Sequence, residues 1–395
     1  MKLICLTFEM LLPANSGGRI YSYMKLKTLA KNHQIYLYSV IDSDEEKSYK
    51  DELLKDFVEV HLYNRNDHKI LSLFKSLKYP FPYASRIDPR IRKDIDKRFS
   101  KGDIDYVLVD MPQVLGNISE RIFSSGHVVV NQQNIEHMAL ANIACGLSSP
   151  IKKIIYRIEA WRLKRLEYQL YHDKPILLHT FVSNEDKAFF ENEHQLFNTS
   201  LLAIGSNIHE YEEMKYTQKI MFFGKMSYPP NAEGAKWFIE NVFAKIQAKY
   251  TDVHMYVVGK DPSQETKMLQ DKYTNVHVTG TVDDVEPYYR NAQFVVVPIS
   301  HGGGVKVKVM DALGYGKLIV TTEKGIEGTE FKNECQLLVA KDADSFCKLC
   351  VNILENPQQY EIIRKYGYEY VKEKYSWNGI IEKFERDLMS ISKQK

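Results

Sequence analysis

The sequence predicts an α/β protein with two Rossmann-like, doubly wound parallel-sheet domains that face each other across a cleft. Short apolar segments alternate with helical segments along the 395 residues, which is typical of parallel sheets covered by helices on both faces. The length suits two domains of ordinary size, and a second α/β series begins at Lys219. We therefore expect an amino-terminal domain over residues 1–210, a second domain over 211–376, and a last helix over 377–393 that packs back on the first domain.

Composition excludes several classes of protein. Hydrophobic residues make up 44% and charged residues 26% of the chain, as in soluble globular proteins. The formal net charge of +2 is too small to indicate nucleic acid as a partner. No apolar run approaches the ~20 residues that cross a bilayer. The five cysteines are scattered and odd in number, which favours a reduced, cytoplasmic protein, with peripheral contact to the inner face of the membrane left open.

The first domain is predicted from the start of the chain. Lys2 to Phe8 forms a strand, a turn-rich loop follows, and a helix begins near Ile20. Gly17 and Gly18 at the helix start would bring backbone amides into the cleft, although an ordinary turn explains the pair equally well. Their spacing is not GxGxxG, so no dinucleotide fingerprint is supported. Further strands are predicted over 34–41, 58–63, 105–110, 127–131 and 176–182.

Two basic segments could contact an anionic acceptor or a membrane surface. The first, over 69–99, is rich in aromatic residues and broken by prolines, and we favour an irregular helix pair that covers the sheet. The second, over 151–171, is a long helix with many lysines and arginines. Glu159 and Glu167 interrupt its cationic face, so we interpret it as a solvated helix surface.

Polar residues follow the predicted strand over 127–131. The segment contains Gln133, Asn134 and Glu136 and stands at the carboxyl end of a strand, where open α/β sheets bind ligands. A helix-capping role is equally compatible with it. By contrast, Cys347 and Cys350 form an isolated CxxC with no second pair, and we predict core-facing thiols on a helix. No metal site is predicted.

A glycine-rich stretch over 294–322 is the strongest local feature. It consists of an apolar strand, a loop ending in Gly302, Gly303 and Gly304, a second regular segment and another strand. Valines and lysines alternate from Val305 to Val309, which by itself favours a strand. Good helix formers follow, and glycines at 314 and 316 supply a carboxyl-terminal stop, so we predict a helix.

Taken as a helix, this segment places Gly304, Lys308 and Asp311 on one face, whereas Lys306 points elsewhere. A helix start leaves backbone N–H groups unpaired, and glycines let a phosphate approach them closely. We expect Lys308 to contact a phosphate and Asp311 to accept hydrogen bonds from ribose hydroxyls. The stretch is thus predicted to hold the diphosphate and ribose of a nucleotide sugar.

The second half of the chain carries an ordered set of motifs. They are FFGKMSYPPN at 222–231, VVG at 257–259, VTGTVDD at 278–284, PISHGGGVKVK at 298–308, DALGYGK at 311–317 and TTEKGIEG at 321–328. Together they resemble the donor domain of family-4 glycosyltransferases (glycosyl transferases group 1), which are retaining enzymes with the GT-B fold. A weaker resemblance extends over the first half through 17–18, 133–136 and 182–183.

The resemblance implies transfer of a sugar from a nucleotide diphosphate sugar to a hydroxyl of a glycan, lipid-linked or protein-linked acceptor, with no obligatory metal or cofactor. Lys225 matches the basic residue that holds the diphosphate. Asp311 stands at the second glutamate of the Glu-x7-Glu motif, and Gly303 replaces the first. The second basic residue of the family has no counterpart, so Lys308 would supply that charge. Further donor-binding residues expected from the match are Gly17, Gly18, Gly224, Gly280, Gly302, Gly303, Gly304, Val305 and Lys306.

Gln133 departs from the family, since many relatives have a histidine there that lines the sugar pocket. Glutamine can position a hydroxyl but cannot ionise. In a retaining front-face mechanism the leaving phosphate itself can take the acceptor proton, so activity does not require that histidine. We expect Asn134, Glu136 and His301 to line the sugar or acceptor pocket beside Gln133. The alternatives are a non-catalytic partner subunit that binds sugar nucleotides and a nucleotide-sugar epimerase on the same fold.

Overall fold

The computed structural model describes residues 1–14, 16–68, 75–146, 149–302 and 307–393. The chain divides into two compact units. The first comprises Met1–Gly205 together with Ile380–Lys395, and the second comprises Ser206–Gly379.

The first unit contains a seven-stranded sheet among its described residues. Its strands are β1 (Lys2–Thr7), β2 (Gln34–Ile41), β3 (Glu59–Asn64), β4 (Tyr106–Asp110), β5 (Val128–Gln132), β6 (Leu178–Phe181) and β7 (Thr199–Leu201). The strand order is β3-β2-β1-β4-β5-β6-β7, and every pairing is parallel. The predicted strand at Lys2 is therefore confirmed, and it lies in the interior of the sheet.

Helices cover both faces of this sheet. They are α1 (Gly17–Ala30), α2 (Lys50–Leu53), α3 (Phe81–Ala84), α4 (Pro89–Phe99), α5 (Glu120–Ser124), α6 (Glu136–Gly146), α7 (Pro150–Asp173) and α8 (Asn184–His194). Two separate hydrophobic clusters lie on the two sides of the sheet, because successive residues of a strand point to opposite faces. The interior strands are buried on both faces, which explains their nearly continuous apolar sequences.

The second unit contains a six-stranded sheet among its described residues. Its strands are β8 (Lys219–Phe223), β9 (His254–Val258), β10 (Val276–Gly280), β11 (Phe294–Val297), β12 (Leu318–Thr321) and β13 (Leu338–Val339). The order is β10-β9-β8-β11-β12-β13, again with parallel pairing. Its helices are α9 (Pro229–Phe238), α10 (Ala244–Lys249), α11 (Gln264–Lys272), α12 (Glu286–Asn291), α13 (Val307–Gly314), α14 (Ala343–Glu355) and α15 (Glu361–Lys374).

Two predictions about helices are confirmed in this unit. The segment that alternates valine and lysine continues as helix α13 from Val307, so the helical interpretation holds over the alternative of a strand. Cys350 is buried and Cys347 partly buried on α14, and both are free thiols. Their spacing on one helix, with both thiols turned towards the core, therefore agrees with the predicted core-facing positions.

The last helix, α16 (Trp377–Ser392), spans the division between the units. Ile380, Ile381, Phe384 and Leu388 are buried, and they belong to the same hydrophobic cluster as Leu3 of the first unit. Among the described residues, no helix is long and apolar enough to cross a membrane.

The order of strands identifies where each unit would hold a ligand. In the second unit the order reverses between β8 and β11, and in the first between β1 and β4. Ligands of open α/β sheets bind beyond the carboxyl ends of the strands at such a reversal. The glycine-rich stretch follows β11, and Gly17 and Gly18 follow β1, so both predicted sites stand at these points.

Candidate active site

The backbone that follows β8 is packed closely against the backbone that follows β9. The amide of Gly224 donates a hydrogen bond of 3.0 Å to the carbonyl of Val258. Gly259 has a φ of +147°, and a Cβ at this position would lie 1.9 Å from the carbonyl oxygen of Gly224. A side chain at Gly259 is therefore excluded. The two glycines, both buried, allow the backbones at the ends of β8 and β9 to approach each other closely.

Two lysines near this end of β8 are linked through Asn231. The Lys308 ammonium donates a hydrogen bond to the side-chain oxygen of Asn231, and the Asn231 amide donates in turn to the carbonyl of Lys225 at 2.8 Å. Lys308 Nζ also lies 5.1 Å from the centre of the Phe222 ring. The side chain of Lys225 is 54% exposed, and its Nζ lies 3.7 Å from Asp261 Oδ2. The Lys308 ammonium is thus held by Asn231, whereas the Lys225 ammonium is exposed beside Asp261.

Gly224 makes room for Lys308. A Cβ on Gly224 would lie 2.7 Å from Asn231 Nδ2 and 3.1 Å from Lys308 Nζ. The contact between Lys308 and Asn231 thus depends on a position without a side chain. This cluster of Gly224, Lys225, Asn231 and Lys308 concentrates positive charge at the point where the strand order reverses, which is suited to binding an anion.

Asp311 follows Lys308 by three residues on α13, so the two side chains are neighbours on the helix surface. Ser206 Oγ donates a hydrogen bond of 3.0 Å to Asp311 Oδ1. Burial raises the pKa of Asp311 to about 6, and the Ser206 hydrogen bond opposes that shift. At neutral pH the carboxylate is mostly ionised and can accept hydrogen bonds from hydroxyl groups.

The structure describes only some of the other residues predicted to bind the donor. Gly302 has a φ of +98°, and a Cβ there would lie 2.8 Å from the Tyr228 hydroxyl. His301 is exposed, with Nε2 3.5 Å from Glu233 Oε2. Gly280 ends β10 with a φ of +70° and open space beside it. The predictions for Gly303, Gly304, Val305 and Lys306 fall outside the described residues.

In the first unit, Gly18 and Gln133 lie together. A Cβ on Gly18 would be 3.3 Å from Gln133 Oε1 and 3.4 Å from Glu9 Oε1. Gln133 Nε2 donates a hydrogen bond of 3.0 Å to Ser22 Oγ, so α1 orients the glutamine. A Cβ on Gly17 would have no neighbouring atom within 4 Å. The start of α1 at Gly18 and the segment after β5 at Gln133 therefore lie side by side, at the edge of the sheet where this fold class binds ligands.

Glu136 is held in a polar cluster beyond β5. It is hydrogen-bonded to Asn134 and Gln113, and burial, reinforced by the nearby Glu167, raises its pKa to about 7. Asn134 is exposed. Glu167 is buried on α7, and His137 Nδ1 lies 2.6 Å from its Oε2. Glu136 is thus a carboxyl group that changes protonation near neutral pH, a property that functional sites often exploit.

The roles of Asn231 and Glu167 are not predicted from the sequence. No short-range pattern shows that Asn231 receives Lys308. The charge pattern of residues 151–171 indicates a solvated surface, whereas the structure buries Glu167. The spacing of Glu167 from Ala160, Leu163 and Tyr171 could have indicated its burial, because all four residues lie on the buried face of α7. No group of three or more His, Cys, Asp or Glu side chains among the described residues is arranged to hold a metal ion.

Comparison with known proteins agrees with this architecture. Residues 217–356 match the family model described as "Glycosyl transferases group 1". An "Uncharacterized 44.6 kDa protein in cps region" of Klebsiella pneumoniae is 23% identical over 390 residues, which cover 95% of this chain and 96% of the relative.

Two solved structures superpose over nearly their full lengths. A glycosyltransferase from Rickettsia africae has a TM-score of 0.64 at 14% identity, covering 100% of this chain and 99% of the other. The Anabaena protein Alr3699/HepE, solved in complex with UDP and glucose, has a TM-score of 0.61 at 11% identity, covering 99% and 100%. The predicted fold class is confirmed: the chain has two parallel-sheet α/β units of the GT-B fold, and its second unit carries a match to the glycosyl transferases group 1 family over residues 217–356.

Proposed function

We propose that the protein is a retaining glycosyltransferase that moves a sugar from a nucleotide diphosphate sugar to a hydroxyl acceptor in the assembly of a glycan or cell-surface polysaccharide. The observation that carries the proposal is the cluster of Lys225, Asn231 and Lys308 at the end of β8. It lies within the residues that match the glycosyl transferases group 1 family. The relative in the cps region supports a role in polysaccharide assembly.

In the proposed reaction the bond between the anomeric carbon and the diphosphate oxygen breaks. A bond between that carbon and the acceptor oxygen forms on the same face. The acceptor proton passes to the departing phosphate oxygen, so no side chain has to remove it. The protein's contribution is to orient both substrates and to stabilise the negative charge that grows on the leaving diphosphate.

The residues divide this work between them. Lys308, held by Asn231, would face the growing charge, and Lys225 would close on the diphosphate when the donor binds. Asp311 would accept hydrogen bonds from the ribose hydroxyls, with Ser206 orienting its carboxylate. In the first unit, Gln133 would position a sugar hydroxyl, with Glu136 and Asn134 near the acceptor. We propose that the reaction needs no metal ion, since the lysines supply the positive charge.

A donor screen tests the proposal. UDP, GDP, ADP and dTDP sugars are compared by the increase in thermal stability that each produces, since a ligand that binds the folded state stabilises it. UDP sugars are tested first because Alr3699/HepE was solved with UDP and glucose. A donor that binds is then incubated without acceptor in the presence of EDTA. Slow hydrolysis to the sugar and the nucleoside diphosphate, with the anomeric configuration retained by NMR, is the expected result.

Two other outcomes would contradict the proposal. Interconversion of two isomeric nucleotide sugars would indicate an epimerase. Binding of a donor without hydrolysis, and without transfer to any hydroxyl acceptor, would indicate a non-catalytic partner subunit.

A further inference from the structure

Helix α7 exposes a stripe of large apolar side chains. Five of them are more than half exposed, between 52% and 72%: Ile151, Ile154, Ile155, Ile158 and Trp161. Spacings of three and four residues place them along one side of the helix. We call this surface the Ile151 face.

The fold leaves the Ile151 face largely exposed. Helix α7 packs against α6, and its buried residues Ala160, Leu163, Glu167 and Tyr171 all lie in its second half. No residue from Ile151 to Glu159 is buried. Large contiguous apolar surfaces are rare on monomeric soluble proteins, and they mark sites of interaction with proteins or membranes.

Positive charge flanks the Ile151 face. The exposed basic residues of the same stretch are Lys152, Arg157, Lys164 and Arg165. Between Ile151 and Arg165 the only acidic residue is Glu159. Its side chain is 17% exposed and pairs with Arg162, and it accepts a hydrogen bond of 2.6 Å from the amide of Phe81. The face therefore presents apolar and cationic groups to solvent without an exposed carboxylate.

A neighbouring loop extends this surface. Arg162 Nη2 donates hydrogen bonds to the carbonyls of Ser76 at 2.6 Å and Tyr79 at 3.1 Å, which fastens the loop to α7. That loop carries Leu77, which is 83% exposed, and leads into Phe81, which is 57% exposed. Two elements of the first unit thus expose apolar side chains beside each other.

We propose that the Ile151 face docks the protein on an anionic lipid bilayer. An interfacial helix buries isoleucine and tryptophan at the boundary between headgroups and acyl chains, while lysine and arginine meet the anionic headgroups. This composition suits a bilayer better than a second copy of the chain. In a symmetric pair, the four exposed cations of one copy would approach those of the other with no exposed acidic residue between them to offset the repulsion.

Vesicle binding tests the proposal with the full chain. The protein is sedimented with vesicles of phosphatidylcholine alone and with vesicles that also contain phosphatidylglycerol. We expect binding to the second kind only, weakened by salt as charge screening requires. Among the three tryptophans of the chain, Trp161 should be quenched by brominated lipids, and Trp161→Phe should remove that quenching.

Paired variants separate the two contributions. Ile154→Gln/Ile158→Gln should weaken vesicle binding by about tenfold or more, because it removes the inserted apolar groups. Lys152→Gln/Arg157→Gln should weaken it to a similar extent and reduce its dependence on salt. The matched controls are Ile362→Gln, at a position that is 82% exposed on α15, and Lys348→Gln/Lys365→Gln, at exposed positions. Both controls should bind like the unsubstituted chain.

The proposal is overturned if the unsubstituted chain does not bind anionic vesicles, or if Ile154→Gln/Ile158→Gln binds them equally well. It is also overturned if sedimentation velocity shows a dimer that this variant converts to a monomer while vesicles bind neither form. The Ile151 face would then belong to a second copy. Because the substituted residues are exposed, thermal unfolding of the variants is expected to match that of the unsubstituted chain.

Discussion

Lys25 Nζ lies 2.5 Å from Asp110 Oδ1, and both side chains are buried inside the first unit. Asn131 Nδ2 donates a hydrogen bond of 2.8 Å to the same carboxylate oxygen, and the lysine ammonium lies 4.6 Å from the centre of the Tyr21 ring. Burial lowers the pKa of Lys25, while the charge of Asp110 opposes the shift. The pair ties α1 to the end of β4 and thereby fixes the helix whose first residues are Gly17 and Gly18.

Lys25→Met should destabilise the first unit by about 3–5 kcal/mol, because it leaves a buried carboxylate without its cation. Urea unfolding measures the change. The control is Lys2→Met, which breaks a pair with Asp103 whose side chains are 40% and 38% exposed and should therefore change stability far less than Lys25→Met. The double variant Lys25→Met/Asp110→Leu should recover part of the loss, since an apolar pair needs no counter-charge. An unchanged unfolding midpoint for Lys25→Met would contradict this account.

Lys308→Ala should lower kcat by a factor corresponding to about 2 kcal/mol or more, as expected when a charge that stabilises a leaving group is lost. Donor transfer or hydrolysis rates measure it. Asn231→Ala should lower the rate less, because it removes the orientation of the ammonium and not its charge. Lys245→Ala is the control, since Lys245 forms an exposed pair with Asp344. If Lys308→Ala and Lys245→Ala turn over at the same rate, Lys308 is not part of the site.

The surroundings of Lys308 show which structural features can be predicted from the sequence. Apolar periodicity, helix-forming residues and glycine positions are local features, and together they predict parallel sheets, the helix over Val307–Gly314 and its neighbouring strands. Helix spacing alone made Lys308 and Asp311 neighbours.

What the sequence could not supply are contacts between residues far apart in the chain. Asn231 and Lys308 are 77 residues apart, and Ser206 and Asp311 are 105 apart. Such pairs depend on how α9 and α13 pack at the ends of β8 and β11, and no local pattern encodes that packing. The burial of Glu167 cannot be predicted from charge for a related reason, because the charge pattern of α7 does not show on which face of the helix each residue lies.

Asp311→Ala should raise the donor KM more than it lowers kcat, because ribose hydroxyls are bound equally in the ground state and the transition state. In the unsubstituted protein the donor KM should fall as pH rises through about 6, the pKa of Asp311, since only the carboxylate accepts both hydroxyls. Ser206→Ala should move this transition to higher pH, because the Ser206 hydrogen bond favours the ionised form. A variant that loses kcat with an unchanged KM would argue against ribose binding.

Glu136 should make the first unit less stable as pH rises. Its pKa is raised from 4.5 to about 7 in the folded protein by burial and by Glu167, so between these values the unfolded chain releases a proton that the folded chain retains. The free energy of unfolding therefore falls from about pH 4.5 to about pH 7, by about 3 kcal/mol for such a shift. Glu136→Gln should remove most of this dependence and stabilise the protein at pH 8, as measured by urea unfolding at several pH values. The control is Glu52→Gln, at an exposed position, which should leave the pH profile unchanged. If Glu136→Gln shows an equally steep profile, the dependence belongs to another group such as Glu167, whose pKa is also raised by burial.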